Sequence, residues 1–251
     1  NGWLVDLLTF RITDCIFFQV YNHSASQSFA PTILMSPYSL ISIRNSLISL
    51  VPFANQAWED LRLYYLLRDF RETGWKAPLP GLIKRYIILA EICRIRATTL
   101  VETGTYLGDT PWFFRKKLTH IYSIEVQPQL ASLVTKRFRQ WPNVTIVHGD
   151  SGSALDNILP ALKDSTVFWL DGHFSDGITG KGKKACPLLD ELDAIFRLCI
   201  CNYTILIDDF RLLGNDPAYP TVPDLISFVA SHGRTVHWEN DIIRIEGETR
   251  L

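Results

Sequence analysis

From Thr98 onward, short β-branched and apolar runs alternate with helical stretches, and that alternation restricts the rest of the chain to very few folds. Strands are expected over residues 98–102, 121–126, 144–149, 165–171 and 203–208, with helices over 111–117, 128–140 and 186–198 between them. Runs too short and too uniformly apolar to have one wet face belong in a parallel sheet covered on both sides by the intervening helices. The tail breaks the pattern. A helix over 223–231 carries Pro223 in its first turn, where a missing amide costs nothing, and two short runs, 235–238 and 242–245, then flank Glu239-Asn240-Asp241. The expectation is an α/β, Rossmann-like, doubly wound fold whose mostly parallel seven-stranded sheet ends in an antiparallel C-terminal hairpin.

The N-terminal third has no comparable period. Residues 56–70 place Trp58, Leu61, Tyr64, Leu66 and Phe70 at helical spacing, and a further helix is expected over 80–96. Residues 1–79 therefore divide off as a helical or irregular N-terminal cap, and 80–251 as the sheet domain. The aromatic-rich first 55 residues also offer a surface for a second subunit, so a homo-oligomer through this region stays open. A net charge of −1 supplies no basic field, and nucleic acid is not expected as a partner. No apolar run reaches membrane-spanning length, because Asp6, Arg11 and Asp14 interrupt the stretch over 4–20. Five cysteines, Cys15, Cys93, Cys186, Cys199 and Cys201, are an odd number without a Cys-x-x-Cys pair. That usage suits a reducing, cytoplasmic setting.

The first strand runs into Glu102-Thr-Gly-Thr-Tyr-Leu-Gly108, followed by Asp109-Thr110-Pro111 as a helix start. Gly104 and Gly108 permit a tight turn, so Thr103, Gly104, Tyr106, Gly108 and Thr110 form a candidate ligand loop. Tyr106 occupies the place of the middle glycine of the dinucleotide fingerprint and would crowd a pyrophosphate, which favours a cofactor without phosphates there. In an open α/β sheet, ligands bind beyond the carboxyl ends of the strands. Here those ends carry Glu102, Glu125 with Val126, Asp150 with Ser151, Asp171 with His173, and Asp208-Asp209. Glu125 lies about 20 residues past the glycine loop, the distance at which a carboxylate reaches ribose hydroxyls, although capping of the following helix is an alternative use. Asp150-Ser151 suits either an exocyclic amine and ring nitrogen or a helix N-cap.

Val101-Glu-Thr-Gly-Thr-Tyr-Leu-Gly108, Ser123-Ile-Glu125, His148-Gly-Asp-Ser151, Phe168-Trp-Leu-Asp-Gly172 and Ile205-Leu-Ile-Asp-Asp-Phe210, in that order, resemble the class I S-adenosylmethionine-dependent methyltransferases. The resemblance covers roughly residues 80–251 and is nearest to the metal-dependent O-methyltransferases of the catechol and macrolide-sugar type. It implies S-adenosylmethionine as cofactor, with Glu102 and Gly104 near its methionine moiety, Glu125 on the ribose diol and Asp150-Ser151 facing the adenine. It implies methyl transfer to a hydroxyl of a small-molecule or sugar acceptor.

Asp171, Asp208 and Asp209 end adjacent expected strands and would repel one another unless a cation sits between them; oxygen ligands suit Mg²⁺, Mn²⁺ or Ca²⁺. The resemblance likewise implies these residues as metal ligands. Asp171 opens a glycine-rich basic loop that carries His173, the best general-base candidate, and Lys181, which with Lys183 and Lys184 could draw an anionic acceptor. In the catechol-type enzymes a lysine follows the metal aspartate closely; here it does not, which leaves the base open among His173, Asp171 and Lys181. The alternatives are a catalytically inactive methyltransferase-like binding or assembly domain, and an NAD-type oxidoreductase, which the missing middle glycine opposes.

Overall fold

The computed structural model describes residues 78–172, 186–239 and 241–247, together with 65, 66, 68, 69 and 72. Most of the N-terminal cap, the loop over 173–185 with His173, Lys181, Lys183 and Lys184, and Asn240 lie outside the described residues. Residues 85–251 make up one unit. Its strands are β1 (Thr99–Thr103), β2 (His120–Glu125), β3 (Val144–His148), β4 (Thr166–Leu170), β5 (Tyr203–Ile207), β6 (Val236–Glu239) and β7 (Ile242–Glu246). The helices are α1 (Gly81–Ile95), α2 (Asp109–Phe114), α3 (Pro128–Phe138), α4 (Ser151–Ile158), α5 (Leu188–Leu198) and α6 (Val222–Ser231).

Seven strands form one sheet in the order β3-β2-β1-β4-β5-β7-β6. β1 to β5 pair in parallel, while β7 pairs antiparallel with both β5 and β6. The expected Rossmann-like, mostly parallel sheet with an antiparallel C-terminal hairpin is therefore the observed one. β1, β4 and β5 are buried at every position, as strands covered on both faces must be.

Alternation along the strands sends side chains to two cores. Val101, Phe168, Leu170, Ile205, Ile207, Ile243 and Ile245 point to one face, where Leu155 and Ile158 of α4, Leu192 and Ile195 of α5, and Leu225 and Val229 of α6 cover them. Residues of the other parity meet α1. There the buried Glu91 takes Arg94 at 2.6 Å and Arg244 of β7 at 3.2 Å, while Arg94 also donates to Thr204 of β5 at 2.8 Å. Tyr86 packs edge-on against Phe113 of α2 with ring centroids 5.7 Å apart, and Trp112 of α2 lies 6.1 Å from Phe138 of α3, so α1 to α3 share that second face.

Element edges depart from expectation by one to three residues. The helix expected over 111–117 is Asp109–Phe114: Gly108, at φ 77°, turns the chain into the helix early, and the amides of Lys117 and Leu118 both fold back onto the Phe114 carbonyl. The helix expected from 186 begins at Leu188, with Pro187 at its N-cap.

For function, the decisive feature is where the strand order turns around. From β1 the chain moves outward to β2 and β3, then crosses back to β4 on the other side of β1. This reversal beside β1 is the topological switch point of the sheet, and ligands settle beyond the carboxyl ends of the strands there in such folds.

Candidate cofactor and acceptor site

The loop after β1 is held by two close approaches. Gly104, at φ 84°, lies so near the loop after β4 that an added Cβ would stand 2.3 Å from the Asp171 carbonyl oxygen. Gly108 is similarly hemmed in by Val134 and Phe138 of α3. Between them Tyr106 adopts φ 49°, a left-handed conformation that costs a non-glycine residue about 1–2 kcal/mol, yet leaves the residue 46% exposed at the turn. What holds it there is Glu125. One carboxylate oxygen accepts from the Tyr106 amide at 2.8 Å, and the other from the Gln127 amide at 2.9 Å. Glu125 thus ties the β1 loop to the start of α3, with Val126 half-buried beside it.

Two further carboxyls are buried on opposite faces of the sheet near the end of β1. Glu102 points to the α1–α3 side. Ser123 donates to it at 2.5 Å, and Ser123 and Thr105 hydroxyls pair at 2.7 Å. Burial pushes the Glu102 carboxyl up to about 8, against the pull of the Ser123 and Thr110 hydroxyls and with some help from the Glu125 charge. Glu191, on α5, points to the other side, towards Ser151 and Thr103. Burial raises it to about 7, those two hydroxyls offset part of the rise, and the charges of Asp150 and Asp190 add to it. Among the described residues its Oε1 has no hydrogen-bond partner.

At the ends of β4 and β5, Asp171, Asp208 and Asp209 converge, each offering one oxygen within 4.8 Å of the others. Asp208 and Asp209 are buried, and Asp171 is half-buried. The Asp209 backbone, left-handed at φ 62°, donates its amide to Asp208 Oδ1 at 2.9 Å. Arg211 brings the counter-charge. Its guanidinium contacts Asp209 Oδ1 at 2.5 Å and also meets Asp241 of the hairpin, whose other oxygen takes the Arg211 amide at 2.9 Å. The oxygen-only set and its spacing fit a hard divalent cation, which would share Asp209 with Arg211. Beside the cluster is a recess lined by Leu170, Gly172, Glu191, Ile207, Asp208 and Tyr219. Burial, then the charges of Cys186 and the three aspartates, keep the Tyr219 phenol protonated.

The strand-end residues expected from sequence are thus gathered along one edge, but in different company. Glu102, Thr110 and Glu125 gather around the glycine loop. Asp150 occupies the N-cap of α4, yet no amide of the helix bonds to its side chain; Ser153 Oγ donates to it at 3.2 Å. Ser151 is buried towards Glu191. His173 and Lys181 lie outside the described residues. Glu191 was missed, although its signal was present: it falls on the stripe Leu188, Leu192, Ile195 that the α5 pattern buries.

No family model matches the chain. A stretch of 70 residues is 30% identical to the ribosomal RNA small subunit methyltransferase A of Syntrophus aciditrophicus (strain SB), spanning 28% of this chain and 24% of that protein. Among solved structures, the precorrin-6y C5,15-methyltransferase of Geobacter metallireducens GS-15 superposes with a TM-score of 0.45 at 16% identity, covering 68% of this chain and 93% of that one. The N-methyltransferase NodS of Bradyrhizobium japonicum WM9 gives 0.46 at 10% identity, over 65% of this chain and 94% of that one.

Proposed function

We propose that the chain binds S-adenosylmethionine across the ends of β1 to β3 and transfers its methyl group to a hydroxyl oxygen of a small-molecule or sugar acceptor. The observation that carries this reading is the ring of carboxyl groups at the carboxyl edge, centred on the Glu125 clamp beneath Tyr106. Its chemistry fits the ligand: acidic groups attract a sulfonium and an ammonium and accept from a ribose diol, and they repel a phosphate. The bound cofactor supplies an electrophilic methyl on a positively charged sulfur.

The chain's own residues then have separate tasks. Glu125 accepts from the ribose hydroxyls while keeping the loop closed, Asp150 and Ser151 meet the adenine, and Glu102 with Thr103 and Gly104 face the methionine end. Tyr106 covers the ligand from solvent. Asp171, Asp208 and Asp209 would hold a divalent cation, which would lower the pKa of an acceptor hydroxyl and orient its oxygen. The proton leaves to His173 or Asp171, and Lys181 attracts an anionic acceptor.

Isothermal titration with S-adenosylmethionine and S-adenosylhomocysteine, with and without Mg²⁺ and with NAD as control, tests the cofactor. Micromolar binding of the first two with NAD silent is the expected result; a folded sample that binds neither removes the reading. Glu125→Ala should lose charged hydrogen bonds worth about 1.5–3 kcal/mol, a roughly 10- to 150-fold weaker affinity. Unchanged affinity in that variant would detach the ribose from Glu125. Asp208→Ala should abolish turnover while leaving cofactor affinity nearly intact, and full turnover that survives a chelator would remove the metal from the scheme.

A further inference from the structure

At the opposite end of the sheet, where α5 returns to β5, two cysteines one residue apart turn their sulfurs to each other. Cys199 caps α5, donating its amide to the Ile195 carbonyl at 3.0 Å, and is 7% exposed. Cys201 is half-buried, and Ile200 between them is 55% exposed. The two Sγ atoms are 3.2 Å apart, and Cys201 Sγ lies 3.6 Å from Thr166 Oγ1 at the start of β4. Neither sulfur is in a disulfide. The alternation that builds the fold ignores this pair, and the proposed methyl transfer does not use it.

A thiol pointed at a second sulfur shares its proton. Cys199 keeps the proton and is raised, first by its bond to Cys201 and then by burial. Cys201 is lowered to about 6, mainly by the Cys199 hydrogen bond, with burial opposing and Thr166 assisting. Arg234 acts on Cys199 and Asp164 on Cys201 as the neighbouring charges. Elsewhere, burial pushes Cys186 up to about 11. Sulfurs at this separation need to close by only about 1.2 Å to reach bonding distance.

We propose that Cys199 and Cys201 form a reactive dithiol that reduces small disulfides, with Cys201 as nucleophile and Cys199 as resolving thiol. The Cys201 thiolate attacks one sulfur of the reagent, whose S–S bond breaks and releases one thiolate. Cys199 then gives up its proton and attacks Cys201 Sγ in the mixed disulfide, releasing the second thiolate. The pair loses two electrons and becomes the Cys199–Cys201 disulfide, and the reagent leaves as two thiols.

The test uses the full reduced chain with Cys15, Cys93 and Cys186 replaced by serine, treated with oxidised glutathione and followed by intact mass and peptide mapping. A mass loss of about 2 Da mapped to residues 199–201 is expected. Cys199→Ser in that background should stop at one stable glutathione adduct on Cys201, and Cys201→Ser should stay unmodified over the same interval. In the unsubstituted chain, Cys201 should be alkylated at pH 7 at least roughly tenfold faster than Cys186. Equal alkylation rates, adducts that persist on Cys201 while Cys199 is present, or reaction of Cys201→Ser at the parent rate would each overturn the proposal. Thermal melts of the serine variants confirm that unreactive samples are folded, so loss of reaction cannot be confused with loss of structure.

Discussion

Gly104→Ala should lower the melting temperature of the protein by roughly 4–20 °C. Two costs combine at this position. A Cβ in a left-handed conformation costs about 1–2 kcal/mol, and the new methyl would stand 2.3 Å from the Asp171 carbonyl oxygen and 2.9 Å from its carbon, both backbone atoms that cannot rotate away. Displacing packed backbone adds about 1–3 kcal/mol, for a total of about 2–5 kcal/mol, and a domain of this size loses about 2–4 °C per kcal/mol. Gly233→Ala separates the two terms. Gly233 has φ 71° but nothing within 4 Å of the added atom, so it should show the conformational cost alone. Thermal denaturation followed by circular dichroism measures both. If Gly104→Ala melts no lower than Gly233→Ala, the contact between the β1 and β4 loops is not the tight one described.

Glu191→Gln should stabilise the protein at pH 8 and do little at pH 5. The Glu191 carboxyl, at about 7 when folded, stands above its ordinary 4.5, so between those values the folded state binds more protons than the unfolded one. Stability then falls as pH rises through this window and levels off above it, which is the direction expected for a buried acid with no cationic partner among the described residues. The difference corresponds to about 3 kcal/mol at most, an order-of-magnitude figure. Glu102, at about 8, extends the same decline by another unit of pH. Glutamine keeps the shape without the charge, so the variant's melting temperature should change less between pH 5 and pH 8 than the parent's. An identical shift at both values would mean that Glu191 does not titrate in this window. Because the decline also comes from Glu102, the variant should flatten the profile without abolishing it.

The sheet was legible because burial on both faces leaves a plain mark. β1, β4 and β5 are short runs rich in β-branched, aliphatic and aromatic residues, buried at every position, and the tail's two runs around Glu239-Asn240-Asp241 announced the hairpin. Most of the carboxylates were legible too, since acids that end such runs have few structural reasons to be there. What stayed hidden depends on partners that side-chain patterns do not record. Glu125 is gripped by the amides of Tyr106 and Gln127, and any residue supplies an amide. Asp209 is matched by Arg211, which in turn reaches Asp241 across the hairpin, a pairing that exists only once β7 has found β5. Cys199 and Cys201 are likewise brought together by the turn from helix to strand.

The position of β7 between β5 and β6 also has a consequence in time. β5 is buried at every position, and one of its edges stays unpaired until β7 exists, because β6, though made first, takes its place only alongside β7. From Ile207 to Glu246 a ribosome adding 5–20 residues per second needs roughly 2–8 s. For that interval the nascent chain presents an open apolar strand edge, the kind of template that invites pairing with another chain. Lengthening the segment between β5 and β7 would prolong the exposure without touching the finished fold.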